Sequence, residues 1–118
     1  MATSDTLTHS FGWVKIEIFI PENYVKILSD ELSNIDVGHI GNYDHCMSVT
    51  SVKGYWRPLA EAHPFQGKAG ELCEGTECKV EVNCKFEQAR AALKVIHKVH
   101  PYEEPVINVI PLISDMVE

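Results

Sequence analysis

Residues 13–20 read WVKIEIFI. Val14, Ile16, Ile18 and Ile20 alternate with Trp13, Lys15, Glu17 and Phe19, the period of two that sends successive side chains to opposite faces of a strand. The first set is wholly apolar and is expected to face a core. The second is mixed, so that its face meets either water or another subunit. Pro21 stops the strand and suits the first turn of a helix, and Glu22 favours a helix N-terminus. Val25, Leu28, Leu32 and Ile35 then recur at helical spacing, widened by Tyr24 and Ile27, which predicts an amphipathic helix over 22–35.

Beyond that helix, Gly38 and Gly41 punctuate VGHIGNYDHC and predict a loop with unusual backbone angles. Residues 46–57 (CMSVTSVKGYWR) read as a second strand. Its alternation is poorer, with Ser48, Thr50 and Ser51 where apolar residues are expected, as on a sheet edge. The stretch 58–76 is rich in Gly, Pro and charge. A connection this long in a compact domain is either functional or packs on a partner. Residues 77–86 (ECKVEVNCKF) are a third period-two strand. A second helix over 87–99 carries a stripe of Ala89, Ala92, Leu93, Ile96 and Val99 or His100, and Pro101 ends it. Residues 104–113 (EPVINVIPLI) form a fourth strand, whose Pro105 and Pro111 argue for an edge or an early break.

The order β-α-β-β-α-β is that of an α+β, ferredoxin-like sandwich, in which right-handed crossovers place both helices on one face of the sheet. A single domain is expected over 13–113, between a polar N-terminal tail (1–12) and a C-terminal tail (114–118). The sheet face carrying Trp13 and Phe19 then lacks cover from its own chain. Uncovered aromatic surface marks an interface, so self-association is expected, a trimer favoured and a dimer possible.

Composition narrows the function. The 118 residues, 45% hydrophobic and 23% charged, suit one globular domain. Ten Lys+Arg against 17 Asp+Glu give a net charge of −7, which offers no electrostatic footprint for nucleic acid or an anionic membrane. No apolar run reaches the roughly 18 residues of a membrane span. MATSDTLTHSFG has neither the basic start nor the apolar centre of a secretory signal, so the cytoplasm is the expected location. Cys46, Cys73, Cys78 and Cys84 are then expected to be reduced. Cys78 and Cys84 share parity with Val80 and Val82 and read as small buried hydrophobes. Cys73 and Cys78 make a lone C-x4-C spacing, a weak zinc signal.

Two segments carry chemistry. His39, Asp44, His45 and Cys46 put two imidazoles, a carboxylate and a thiol within one short loop, a set that could hold a divalent metal. His63 and Glu103 would join them if the long connection folds back. Alternatively, Gly38 and Gly41 simply set a tight turn whose backbone Asn42 and Asp44 bond. The second segment, HPYEEP (100–105), is a helix stop followed by a strand start. His100 caps the helix end, Tyr102 offers a ring and a polar tip, and Glu103 and Glu104 are acid/base or metal-ligand candidates, or else solvate a sheet corner. His9 lies in the tail, and His97 reads as a boundary residue. No Ser-His-Asp order, nucleophile elbow, phosphate loop or dinucleotide fingerprint is present, so an enzyme is not expected.

GHIGNY (38–43), His45-Cys46, Arg57-Pro58-Leu59, Pro64-Phe65, Gly67 and HPYEEP together resemble the inserted domain of the YqfO/YbgI-type, NGG-interacting-factor-like proteins, over about residues 15–112. HPYEEP also resembles the corresponding string of CutA-type proteins, which are ferredoxin-like and trimeric and similar to the PII signalling proteins. The resemblance implies a free-standing insert domain with a PII/CutA-like fold. It implies as well that the dinuclear metal ligands of the larger proteins lie in flanking halves and do not carry over. The function expected is a non-enzymatic, oligomeric regulatory or ligand-binding module. Gly38, Gly41, Asn42, Tyr43, His100, Tyr102, Glu103 and Glu104 would be its motif positions, and a cleft between subunits its ligand site. The alternative is a copper- or zinc-binding protein using His39, His45 and Cys46, in which CutA's link with metal tolerance is resemblance only.

Overall fold

The computed structural model describes residues 12–113, so the expected tails, Gly12 apart, and His9 lie outside the described residues. Strand β1 is Trp13–Ile20. A single 3-10 turn, Glu22–Tyr24, leads into helix α1, Val25–Asn34. Strands β2 (Ser48–Trp56) and β3 (Cys73–Lys85) follow. A second 3-10 turn, Phe86–Gln88, precedes helix α2 (Ala89–Val99), and strand β4 is Ile107–Leu112. The expected element order is therefore the observed one. The sheet order is β2-β3-β1-β4 with every neighbouring pair antiparallel, the ferredoxin-like arrangement. β2 and β4 are the two edges, as the poor alternation of one and the prolines of the other predict.

The helices pack on one face of the sheet. Along β1 the burial alternates strictly, and Val14, Ile16, Ile18 and Ile20 are buried as expected. They meet Val80, Val82, Cys78 and Cys84 of β3, Leu28 and Leu32 of α1, and Ala92 and Ile96 of α2. Each such isoleucine or leucine contributes roughly 1.5–3 kcal/mol by leaving water. The two cysteines are core residues, and burial pushes the Cys84 thiol up to about 11, well away from reactivity. Cys73 and Cys78 stand five positions apart on one strand, which sends their thiols to opposite faces and separates the C-x4-C pair. All four cysteines are unpaired.

Four expectations change. Ile27 is 52% exposed and does not belong to the buried stripe of α1. His100, not Val99, completes the buried stripe of α2. β3 begins at Cys73 rather than residue 77, because Cys73–Glu77 pairs with the second half of β2: Val52 opposite Glu77, Gly54 opposite Gly75, Trp56 opposite Cys73. β4 begins at Ile107 rather than residue 104. Since β1 ends opposite Cys78, the far halves of β2 and β3 form a two-stranded ribbon that outruns the sheet.

The sheet face away from the helices is less greasy than expected. Its centre is a lattice of opposite charges: Lys15 Nζ lies 3.2 Å from Glu81, Lys79 Nζ lies 4.0 Å from Glu17, and Asn108 donates to Glu17 at 2.8 Å. Apolar groups sit at its two ends. At one, Trp13 pairs with Leu112 and Lys15 with Ile110. At the other stands Phe19, and there the long connection, not a helix, folds over it.

Candidate functional site

The loop between α1 and β2 contains a tight turn. Ile40 and Tyr43 exchange two backbone hydrogen bonds, at 2.8 and 2.9 Å, around Gly41 and Asn42. Gly38 adopts φ +85, and a Cβ there would stand 3.0 Å from the Cys46 carbonyl and 3.2 Å from Val82, so both conformation and space require glycine.

The histidines of this loop do not converge. His39 donates from Nδ1 to Asp36 at 2.6 Å and from Nε2 to the Gly41 carbonyl at 2.8 Å. His45 donates from Nδ1 to Asp44 at 2.8 Å and from Nε2 to Asp30 at 3.2 Å. With acceptors at both nitrogens, each ring is served best as an imidazolium. The bond to Asp36 raises the pKa of His39, and the bond to Asp44 raises that of His45 while lowering that of Asp44. Both nitrogens of each ring are thus engaged within the loop and by Asp30 of α1. The expected set of His39, His45, Cys46, His63 and Glu103 is not brought together, and among the described residues no three His, Cys, Asp or Glu side chains are arranged to hold an ion.

HPYEEP lies at the other end of the sandwich, because α1 and α2 run in opposite directions and each segment follows its helix's C-terminus. Within one chain the two segments therefore do not meet. His100 is 8% exposed. Its Nε2–H donates to the Phe19 carbonyl at 2.6 Å, and its Nδ1 accepts the Tyr102 amide at 3.2 Å. One acceptor and one donor fix a neutral ring, and burial lowers its pKa. His100 thereby binds the β1 backbone just beyond the point where β4 pairing ends.

Tyr102 extends from there. Its hydroxyl donates to Glu77 Oε1 at 3.1 Å, and burial followed by the Glu77 charge pushes its pKa up to about 12. The connection 57–72 folds back onto it. Gly70 N–H closes on the Pro58 carbonyl at 2.7 Å, the Trp56 indole donates to the Gln66 carbonyl at 3.2 Å, and the His63 amide donates to Glu103 at 2.9 Å. Glu103 thus meets the backbone of His63 and not its ring. Phe65 lays its ring 5.9 Å from Tyr102 and 6.3 Å from Tyr24, and Tyr102 lies 4.7 Å from His100, a file of aromatic contacts each worth about 0.5–1.5 kcal/mol.

Ribbon, connection and HPYEEP enclose an open cleft of ≈ 540 Å³. Phe19, Trp56, Phe65, Leu59, Tyr102 and Val106 wall it, and Arg57, Glu77, Glu103 and Glu104 bring charge to it. Gly54 and Gly75 face one another on the ribbon, and two cleft side chains lie over them. A Cβ on Gly75 would stand 3.1 Å from the Trp56 ring, and one on Gly54 would stand 2.6 Å from Glu77 Oε2. Sequence reasoning singled out Tyr102, Glu103, Glu104 and the Arg57–Gly67 string, but missed Glu77, Trp56 and Phe19 as cleft residues. The paired glycines of β2 and β3 were the available signal.

The fold is that of a ferredoxin-like, CutA-like module. Chain comparisons agree. CutA1 of Ehrlichia chaffeensis, a divalent ion tolerance protein, superposes with a TM-score of 0.66 at 18% identity, over 90% of this chain and 88% of that one. A Bacillus cereus protein related to NIF3 superposes with a TM-score of 0.75 at 27% identity, over 88% of this chain and 26% of that one. The GTP cyclohydrolase 1 type 2 homologs of Staphylococcus epidermidis and Bacillus subtilis are 31% and 33% identical over 105 and 98 residues, or 89% and 83% of this chain. No family model matches. The chain is a homologue of one segment of the GTP cyclohydrolase 1 type 2 homologs, spanning 29% and 26% of these two relatives. The resemblance carried by GHIGNY and HPYEEP is borne out. Among the described residues no helix is long and apolar enough to cross a membrane.

Proposed function

We propose that this chain is a non-enzymatic, self-associating module that holds a small organic ligand in the cleft between ribbon, connection and HPYEEP. The cleft carries the proposal. Its ≈ 540 Å³ falls within the range of small-molecule sites, and apolar walls with a few placed polar groups are the composition such sites have. The His100 ring, behind the cleft, is spent at both nitrogens on the backbone, which favours binding over catalysis.

Self-association has separate support. A two-stranded ribbon is marginally stable alone in water, and the exposed Tyr55, Leu59 and Leu72 around its tip favour a covered arrangement. Trp13, Ile110 and Leu112 form a second apolar patch beside the charge lattice. A trimer is the arrangement implied by the CutA resemblance, with a dimer as the other closed possibility. Four free thiols suit a reducing cytoplasm. The tolerance named for the CutA1 relatives is not carried over to a metal site here, since both loop imidazoles are paired.

Light scattering coupled to size exclusion tests the assembly. A particle of two or three times 13.3 kDa at micromolar concentration is the expected result, and a monomer overturns it. Protein NMR of the same particle tests the cleft. Ligand-induced shifts should concentrate on Phe19, Trp56 and Tyr102.

A further inference from the structure

The cleft has a sign as well as a shape. Three carboxylates, Glu77, Glu103 and Glu104, line it against a single guanidinium, Arg57. Glu103 is engaged by the His63 amide, and Arg57 is an exposed side chain at the end of the ribbon. Glu77 is different. It is half-buried on the β3 floor, and only its Oε1 takes the Tyr102 hydroxyl. Its Oε2 lies over Gly54 and makes no side-chain hydrogen bond among the described residues. The rings of Phe19, Trp56, Phe65 and Tyr102 line the same cleft, and aromatic faces carry negative quadrupole charge. A carboxylate among aromatic faces attracts a desolvated organic cation by two mechanisms at once, ion pairing and cation–π contact, and repels an organic anion by both.

We propose that the cleft beside Glu77 binds a small organic ammonium compound, its apolar body against Trp56 and Tyr102 and its cationic head toward the Glu77 carboxylate. This rests on the assignment of the cleft as a ligand site made above and adds the chemical class of the ligand. The Gly54–Gly75 pair lets the Glu77 carboxylate and the Trp56 ring lie close over the ribbon, since a Cβ at either position would meet them.

Three probes of similar size and different charge test this on the full chain: benzyltrimethylammonium, benzyl alcohol and phenylacetate, each titrated by calorimetry and by NMR. The cation is expected to bind about tenfold more tightly than the neutral alcohol, as a cation–π contact of this kind implies, and phenylacetate least. Glu77→Gln should remove most of that preference, and Arg57→Gln should leave it or increase it. Because Glu77 also anchors Tyr102, Glu104→Gln serves as a second variant on an exposed residue, expected to lower cation affinity a few-fold with the melting temperature unchanged. Equal binding of cation and alcohol, or a preference for phenylacetate with shifts at Phe19 and Tyr102, refutes the cationic class and leaves the cleft a ligand site. Failure of all three probes to shift those residues refutes both.

Discussion

His100→Leu keeps an apolar group of similar size at the buried end of α2 and deletes both of the ring's hydrogen bonds. The Phe19 carbonyl, held at 2.6 Å, and the Tyr102 amide, held at 3.2 Å, lose their partners together. Each bond is worth about 0.5–1.5 kcal/mol net, and a buried polar group left unpaired costs about 1–3 kcal/mol, so a loss of about 2–4 kcal/mol is expected. At this chain length that lowers Tm by roughly 10 °C. Urea unfolding of both proteins measures it. The loss should also depend on pH. Burial lowers the folded-state pKa of His100 below the unfolded value near 6.5. Its contribution is therefore complete above the unfolded pKa and is lost as pH falls through that value toward the folded one. The gap between wild type and His100→Leu should narrow from about pH 8 to about pH 5. His39 and His45 act in the opposite sense in both proteins, their raised pKa values stabilising the acid side, so the difference between the two proteins isolates His100. A loss under about 1 kcal/mol, or a gap that widens in acid, would refute the neutral, doubly bonded ring.

Gly38→Ala should destabilise more than Gly41→Ala. Both have positive φ, but only at Gly38 does a Cβ also meet the Cys46 carbonyl and Val82; about 2–3 kcal/mol against about 1 kcal/mol is expected in chemical denaturation. Ile110→Lys, at the exposed apolar end of the charge lattice, should shift the particle toward monomer in light scattering while far-ultraviolet circular dichroism stays unchanged, and an unaltered mass places the interface elsewhere. Joint substitution of His39 and His45 by Ala should leave copper and zinc content unchanged in elemental analysis of the purified protein, whereas a fall in bound metal would restore the loop as a metal site.

Strand β1 was legible because every second residue from Val14 to Ile20 is β-branched and faces a core. The ribbon was not. Glu74, Gly75 and Thr76 of β3 have no core behind them, so only pairing with β2 makes them a strand, and pairing over such a distance leaves no periodic trace. HPYEEP was legible as a helix stop, yet the task of His100 depends on a carbonyl 81 residues away. The expected metal ligands do not converge within one chain, for a local reason. Residues adjacent in a loop read as a cluster, but Asp36, Asp44 and Asp30 already occupy the imidazole nitrogens. Glu77 stayed hidden because its surroundings arise only when the connection folds back from Pro58 to Phe65.

The register at the start of β1 has a topological consequence. Trp13 and Leu112 are cross-strand partners, so the backbone enters and leaves the sandwich at sites about 5 Å apart. A unit whose two doors adjoin can be grafted between neighbouring residues of a host's surface loop without prying the host open. That geometry suits the occurrence of this same fold as a minor portion of much larger polypeptides.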